Sequence, residues 1–200
     1  MNLSGIEKVK GFMPKHEGFA LLNWAERFSE IGPIFEIGTY CGKSSLYLAN
    51  GASLNNQLVY TVDHHLGSEE HQLKEEYFDE DVYDFKKKRV NSFPLLIKNI
   101  NDHKMQNIVP IISDAYNLSS KWSAKLGMLF IDGGHSLESA MSDYNSWESK
   151  ILCGGALVIH DIYEKPEDGG QAPFEVYKKA LENNYKLYER VDTIVCIIKG

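Results

Sequence analysis

Apolar positions along the chain change their period several times. Between Gly11 and Ile31, Phe19, Leu22, Ala25 and Phe28 recur at three-residue steps, which predicts an amphipathic helix ended by Gly32-Pro33. Five short apolar runs follow, at Ile34–Ile37, Leu58–Val62, Ile108–Ile112, Met128–Ile131 and Ala156–Ile159. They are brief and lack strict alternation, as expected of strands covered on both faces in a parallel sheet. Between the fourth and fifth runs, Ser136 predicts a helix N-cap with Glu138 in the first turn, and Leu137, Met141, Tyr144 and Trp147 form the apolar face. Cys153-Gly154-Gly155 is expected to break the chain before the fifth strand. Pro173–Asn183 predicts a last helix with Phe174, Tyr177 and Leu181 on one side. Lys186–Val191 and Thr193–Lys199 predict an antiparallel hairpin across Asp192.

Strands alternating with helices predict an α/β fold: a Rossmann-like, doubly wound seven-stranded sheet, mostly parallel, with a C-terminal antiparallel hairpin. The 200 residues suit a single domain. Residues 1–32 form its N-terminal helical segment. Residues 64–107 are too long for a simple crossover and too polar for core, so a helical insertion or cap is expected there. Its helices fall around Val82–Arg89 and Ser92–Asp102.

Composition narrows this picture by exclusion. Apolar residues at 43% and charged residues at 24% describe an ordinary globular chain, without a membrane-length apolar run or a low-complexity tract. The formal charge of −7 has the wrong sign for a phosphate-backbone binder. Cys41, Cys153 and Cys196 are odd in number and lie far apart, which predicts neither a disulfide framework nor a structural zinc site. Met1-Asn2-Leu3-Ser4-Gly5 opens no signal-peptide pattern, so the cytoplasm is the expected location.

Candidate chemistry concentrates at strand ends. The segment from Ile34 to Ser44 runs from a buried strand through Gly38 and Gly42 into a helix start. Glycines there let a ligand approach the main chain, and the helix start favours an anionic group. Asp63, 21 residues beyond Gly42, closes the second strand, where a carboxylate can accept both hydroxyls of a ribose. Together these describe a nucleoside site, although a tight turn without a ligand uses the same glycines. The spacing Gly38-x-x-x-Gly42 is not the dinucleotide fingerprint.

Glu36-x-Gly38-x-x-x-Gly42 resembles the first motif of class I S-adenosylmethionine-dependent methyltransferases. Gly38-x-Tyr40-Cys41-Gly42-x-Ser44 is similar to its form in catechol-type O-methyltransferases. Ile131-Asp132-Gly133-Gly134-His135-Ser136, with Gly154-Gly155 and His160-Asp161, resembles bacterial small-molecule members with an I-D-G-x-H signature. The likeness spans about Phe35 to Lys199.

The resemblance implies S-adenosylmethionine as cofactor, with Glu36, Gly38, Tyr40, Gly42 and Ser44 in the motif that holds it. Asp63 would hold the ribose, Ser113-Asp114-Ala115 would flank adenine, and Asp132 is a further cofactor-binding candidate whose carboxylate can face a cationic sulfonium. Asp132 and Asp161 match two metal ligands of the metal-dependent relatives, so a divalent cation such as magnesium is a candidate. The third ligand there is an amide, replaced here by Ile162. His135 stands where that family places a lysine base, and with Asp132 is the candidate catalytic group; His135 orienting the next helix is the plainer reading.

The implied activity is methyl transfer to a small-molecule acceptor, at a hydroxyl. Nucleic acid and membrane are not expected as partners, and a homodimer is the expected assembly. The alternatives are a non-catalytic nucleoside-binding module and, behind it, an NAD(P)-dependent oxidoreductase. Three histidines between His64 and His71 match no metal-ligand spacing, and that loop and residues 164–173 are candidate acceptor loops.

Overall fold

The computed structural model describes residues 3–67, 72–73, 78–134 and 136–200. After helix α1 (Lys15–Phe28), β1 (Ile34–Ile37), α2 (Lys43–Ser53) and β2 (Val59–Asp63) follow. The segment that comes next holds two short strands, β3 (Tyr83–Asp84) and β4 (Arg89–Val90), then α3 (Phe93–Asp102). The rest alternates: β5 (Ile108–Ile112), α4 (Ala115–Ser119), β6 (Leu126–Ile131), α5 (Leu137–Trp147), β7 (Ile151–Ile159) and α6 (Ala172–Glu182). The hairpin β8 (Tyr185–Val191) and β9 (Ile194–Lys199) ends the chain.

Seven strands form one sheet in the order β5-β2-β1-β6-β7-β9-β8. The first five are parallel and β9 runs antiparallel to both neighbours. The strand order reverses between β1 and β6, and open α/β sheets bind ligands at the carboxyl ends beside such a switch.

Period-two alternation divides the core. Ile34, Val59, Met128, Phe130, Ala156 and Val158 face α1 and α2, packing with Leu21, Trp24, Leu46 and Tyr47. Phe35, Ile37, Val62, Leu129, Ile131 and Leu157 face α5 and α6, packing with Tyr144, Trp147 and Val176. Phe35 stacks on Trp147 at 3.9 Å between centroids and meets Trp122 edge-on at 4.9 Å. Such aromatic contacts add about 0.5–1.5 kcal/mol beyond their buried area.

Two expected elements differ. Val82–Arg89 is not a helix: a 3-10 turn at Glu80–Val82 leads into the β3–β4 ladder. Asp84 accepts the amides of Lys86 and Lys87 and closes the turn, so the run Lys86-Lys87-Lys88 is a solvated hairpin tip. Cys153-Gly154-Gly155 does not break the fifth strand either. The strand begins at Ile151, and the register against β6 slips between Leu126 and Met128, absorbing these residues as an irregularity.

Candidate functional site

A cavity of about 1050 Å³ opens at the carboxyl ends of β1, β2, β5, β6 and β7. Pockets for one small ligand run to about 300–1,000 Å³, so the space admits a nucleoside and a second molecule. Gly38, Tyr40, Ser44, Asp63, Ser113, Asp114, Ala115, Asp132 and Asp161 all line it. His135, the candidate base, and His71 of the histidine-rich loop lie outside the described residues.

The glycine turn is built by hydrogen bonds from two directions. Gly38 donates its amide to Val62, and the next strand's Asp132 donates its amide to Ile37. Gly38 has φ +88, and a Cβ on it would stand 2.1 Å from the Asp132 carbonyl oxygen. Only glycine permits both that backbone and that approach. Asp63 ties the turn down: its Oδ2 accepts the amides of Thr39 and Tyr40 at 3.0 and 2.8 Å, and its Oδ1 accepts that of His65 at 2.7 Å. Three amide bonds leave the half-buried carboxylate room to accept from a ligand at the cavity wall.

Glu36 and Gly42 do not line the cavity among the described residues. Glu36 points to the opposite face of β1, fully buried, and accepts from the hydroxyls of Ser44, Ser45 and Thr61. Burial pushes its pKa up to about 7 against the pull of those hydroxyls. Gly42 begins α2 with φ +86 and packs on Leu96. Both residues support the glycine turn from outside the cavity lining. Tyr40 donates its hydroxyl to Asp79 at 2.6 Å, and Asp79 also receives Lys10 at 2.7 Å. This pair draws the N-terminal segment over the cavity mouth, where Phe12 stacks on Tyr40 at 5.9 Å. Burial pushes the Cys41 thiol up to about 12, so it is not a nucleophile.

The fourth and fifth strand ends converge on His160. Its Nδ1 lies 3.0 Å from Asp132 Oδ1 and 3.5 Å from Asp161 Oδ2, and its Nε2 lies 2.8 Å from Glu17 Oε2. Asp161, which makes the longest of these contacts, has a left-handed backbone at φ +59. Burial alone would lower the imidazole pKa; the surrounding Asp132, Asp161 and Glu17 carboxylates outweigh it and raise it. Glu17, in turn, accepts from the amide and hydroxyl of Thr193 on its other oxygen. Burial pushes the Glu17 carboxyl up, and the bonds from His160 and Thr193 hold it below its usual value.

Asp132, His160 and Asp161 each present one possible metal-ligand atom, all within 4.8 Å of one another. With Nε2–H donated to Glu17, Nδ1 is the ring atom left for a cation, and the Glu17 bond supplies the usual outer support of a ligating histidine. A proton and a divalent ion compete for that nitrogen. The mixed nitrogen and oxygen donors fit a borderline first-row cation better than magnesium, which prefers oxygen throughout. Ile162 is buried and supplies no ligand. His64 and His65 join no ligand group among the described residues; His65 is buried against Ser92 instead.

Comparison with known proteins agrees with this architecture. A family profile described as a methyltransferase domain matches residues 35–162. The O-methyltransferase TomG from Streptomyces achromogenes, solved with S-adenosylmethionine, superposes with TM-score 0.67 at 12% identity, covering 100% of this chain and 92% of that one. The O-methyltransferase NovP gives 0.64 at 14% identity, covering 90% and 79%. An rRNA methylase from Streptococcus thermophilus gives 0.59 at 14% identity, covering 94% and 99%. At such identities these likenesses speak for the fold, and the profile speaks for the family. The chain belongs to the methyltransferase-domain family and is an enzyme with the class I methyltransferase fold.

Proposed function

We propose that the protein moves a methyl group from S-adenosylmethionine to a hydroxyl of a small molecule. The observation that carries this reading is the meeting of Gly38, Asp63 and Asp132 around one cavity at the sheet's switch point. In this reading the Gly38 turn borders the methionine portion, Asp63 accepts from the ribose hydroxyls and Ser113-Asp114-Ala115 flank adenine; all of these residues line the cavity, which supports the reading. The acceptor then enters beside Phe12, Met13, Tyr163 and Thr193, at the other end of the cavity.

The chemistry is an in-line displacement. The acceptor oxygen attacks the sulfonium methyl, an O–C bond forms, and the S–C bond breaks with its electron pair left on sulfur. The hydroxyl proton passes to a base. The candidates for that base are His135 and Asp132, and the lining of the cavity by Asp132 supports its share in the role. Most of the acceleration comes from holding the two reactants at attack distance with water excluded. Asp132, His160 and Asp161 are the residues that would hold a divalent cation. Such an ion, when bound, lowers the pKa of an acceptor hydroxyl.

Incubation with S-adenosylmethionine and a panel of phenols, catechols and sugars tests the reading, with release of S-adenosylhomocysteine and product mass as readouts. Methylated hydroxyl product is expected. Turnover confined to amines, or to RNA, would contradict the hydroxyl assignment.

A further inference from the structure

The chain just past β7 is pinned on both sides of Tyr163. Before it, the Ile162 amide donates to the Thr193 carbonyl at 2.8 Å, and the Ile162 carbonyl accepts from Arg190 Nη2 at 3.1 Å. After it, Glu164 accepts from Nη1 of the same guanidinium at 2.5 Å. Gln171 then draws the loop shut, its side-chain amide donating to the carbonyls of Tyr163 and Gly169 at 3.0 and 3.1 Å.

This closure lays Gly169 on the phenol ring. A Cβ on Gly169 would stand 2.4 Å from Cδ2 and 2.6 Å from Cε2 of Tyr163. A residue without a side chain is what lets the ring lie there. The neighbouring Gly170 has nothing within 4 Å of an added Cβ, and neither glycine has a left-handed backbone. The close approach therefore belongs to Gly169 and not to the loop's composition.

The ring held in this way faces the cavity. Tyr163 is half-buried and lines it. It follows β7, across the switch point from the β1, β2 and β5 ends that carry Gly38, Asp63 and Ser113-Asp114-Ala115. Its hydroxyl has one partner, Asp161 Oδ1 at 3.5 Å, the outer limit for a hydrogen bond. A phenol hydroxyl is both donor and acceptor, so most of its bonding capacity is left for a ligand.

We propose that the Tyr163 hydroxyl binds the methyl acceptor by donating to one of its oxygen or nitrogen atoms, and that Gly169 positions that hydroxyl. This inference rests on the methyl-transfer reading above and adds a residue that selects the acceptor. The loop fixes the ring before any ligand arrives, so the bond forms with little further loss of freedom.

Steady-state kinetics with S-adenosylmethionine and the phenols, catechols and sugars named above test this, beside isothermal titration of S-adenosylhomocysteine. Tyr163→Phe keeps the packing of the ring and removes only the hydroxyl. It is expected to raise the acceptor KM about fivefold or more, with kcat and S-adenosylhomocysteine affinity within about twofold of wild type. Gly169→Ala displaces the ring and raises KM by a similar factor, whereas Gly170→Ala leaves it unchanged. In the Tyr163→Phe background, Gly169→Ala adds no more than about twofold, because both act through one hydroxyl. An unchanged KM in Tyr163→Phe overturns the proposal, as does an equal loss of S-adenosylhomocysteine affinity, which would assign the residue to the donor. A Gly169→Ala effect no larger than that of Gly170→Ala overturns the positioning role. No methylated product from any of these acceptors with the wild type would overturn the hydroxyl reading itself, and this inference with it.

Discussion

Glu17 and His160, 143 residues apart, form a buried pair at 2.8 Å that joins the N-terminal helix to the end of the fifth parallel strand. The contact makes α1 part of the site: it fixes which ring nitrogen of His160 faces Asp132 and Asp161. Removing Glu17 leaves the imidazole buried with one partner lost, and leaves the Thr193 amide without its acceptor. Glu17→Ala is expected to cost about 3–5 kcal/mol in urea unfolding. A loss below about 1 kcal/mol would mean that the pair is not holding the helix to the sheet.

Two glycines with similar backbone angles separate crowding from strain. Gly38 has φ +88 and no room for a Cβ, whereas Gly154 has φ +77 and nothing within 4 Å of the added atom. Gly154→Ala should cost only about 1–2 kcal/mol, the left-handed backbone penalty. Gly38→Ala should cost at least about 2 kcal/mol more, because the Asp132 backbone must move. Thermal or urea denaturation of the two variants side by side decides this; equal losses would contradict the close approach.

Glu36 makes stability depend on pH. Its folded pKa of about 7 stands above the ordinary 4.5, so the folded state binds its proton more tightly than the unfolded state does. The ionisation penalty is absent below about pH 4.5, grows through the interval and is complete above about pH 7. Wild-type protein is therefore expected to lose up to roughly 3 kcal/mol between pH 5 and pH 8 relative to Glu36→Gln. Urea melts at both pH values measure it; a parallel pH response of the two proteins would place the Glu36 pKa near its ordinary value.

The donor set at the fourth and fifth strand ends predicts a cation preference. Equilibrium dialysis should show manganese or zinc bound about tenfold or more tightly than magnesium, since an imidazole favours them. His160→Ala should remove the difference. Magnesium binding that survives His160→Ala would instead assign the ion to the two carboxylates alone.

Much of this architecture was legible in the residues, and the exceptions have physical causes. The unbroken runs at Ile34–Ile37 and Met128–Ile131 read as two-faced strands because they are covered on both sides. Motif spacing located the glycine turn but could not tell which face of β1 Glu36 occupies; Ile37, not Glu36, reaches the cavity. Glu17 stayed hidden because an acid on an amphipathic helix reads as solvated when its partner lies in the last third of the chain. His160 was visible at a strand end, but its two-sided bonding joins Asp132 to Glu17 on the distant first helix, which no periodicity records.

Isothermal titration of S-adenosylhomocysteine into wild-type protein and Asp63→Ala tests the donor site. One site per chain is expected for the wild type, with affinity lowered at least about tenfold in the variant as the ribose and turn contacts are lost. No heat of binding from the wild type at millimolar ligand would contradict the assignment of this cavity to the adenosyl nucleoside of the methyl donor.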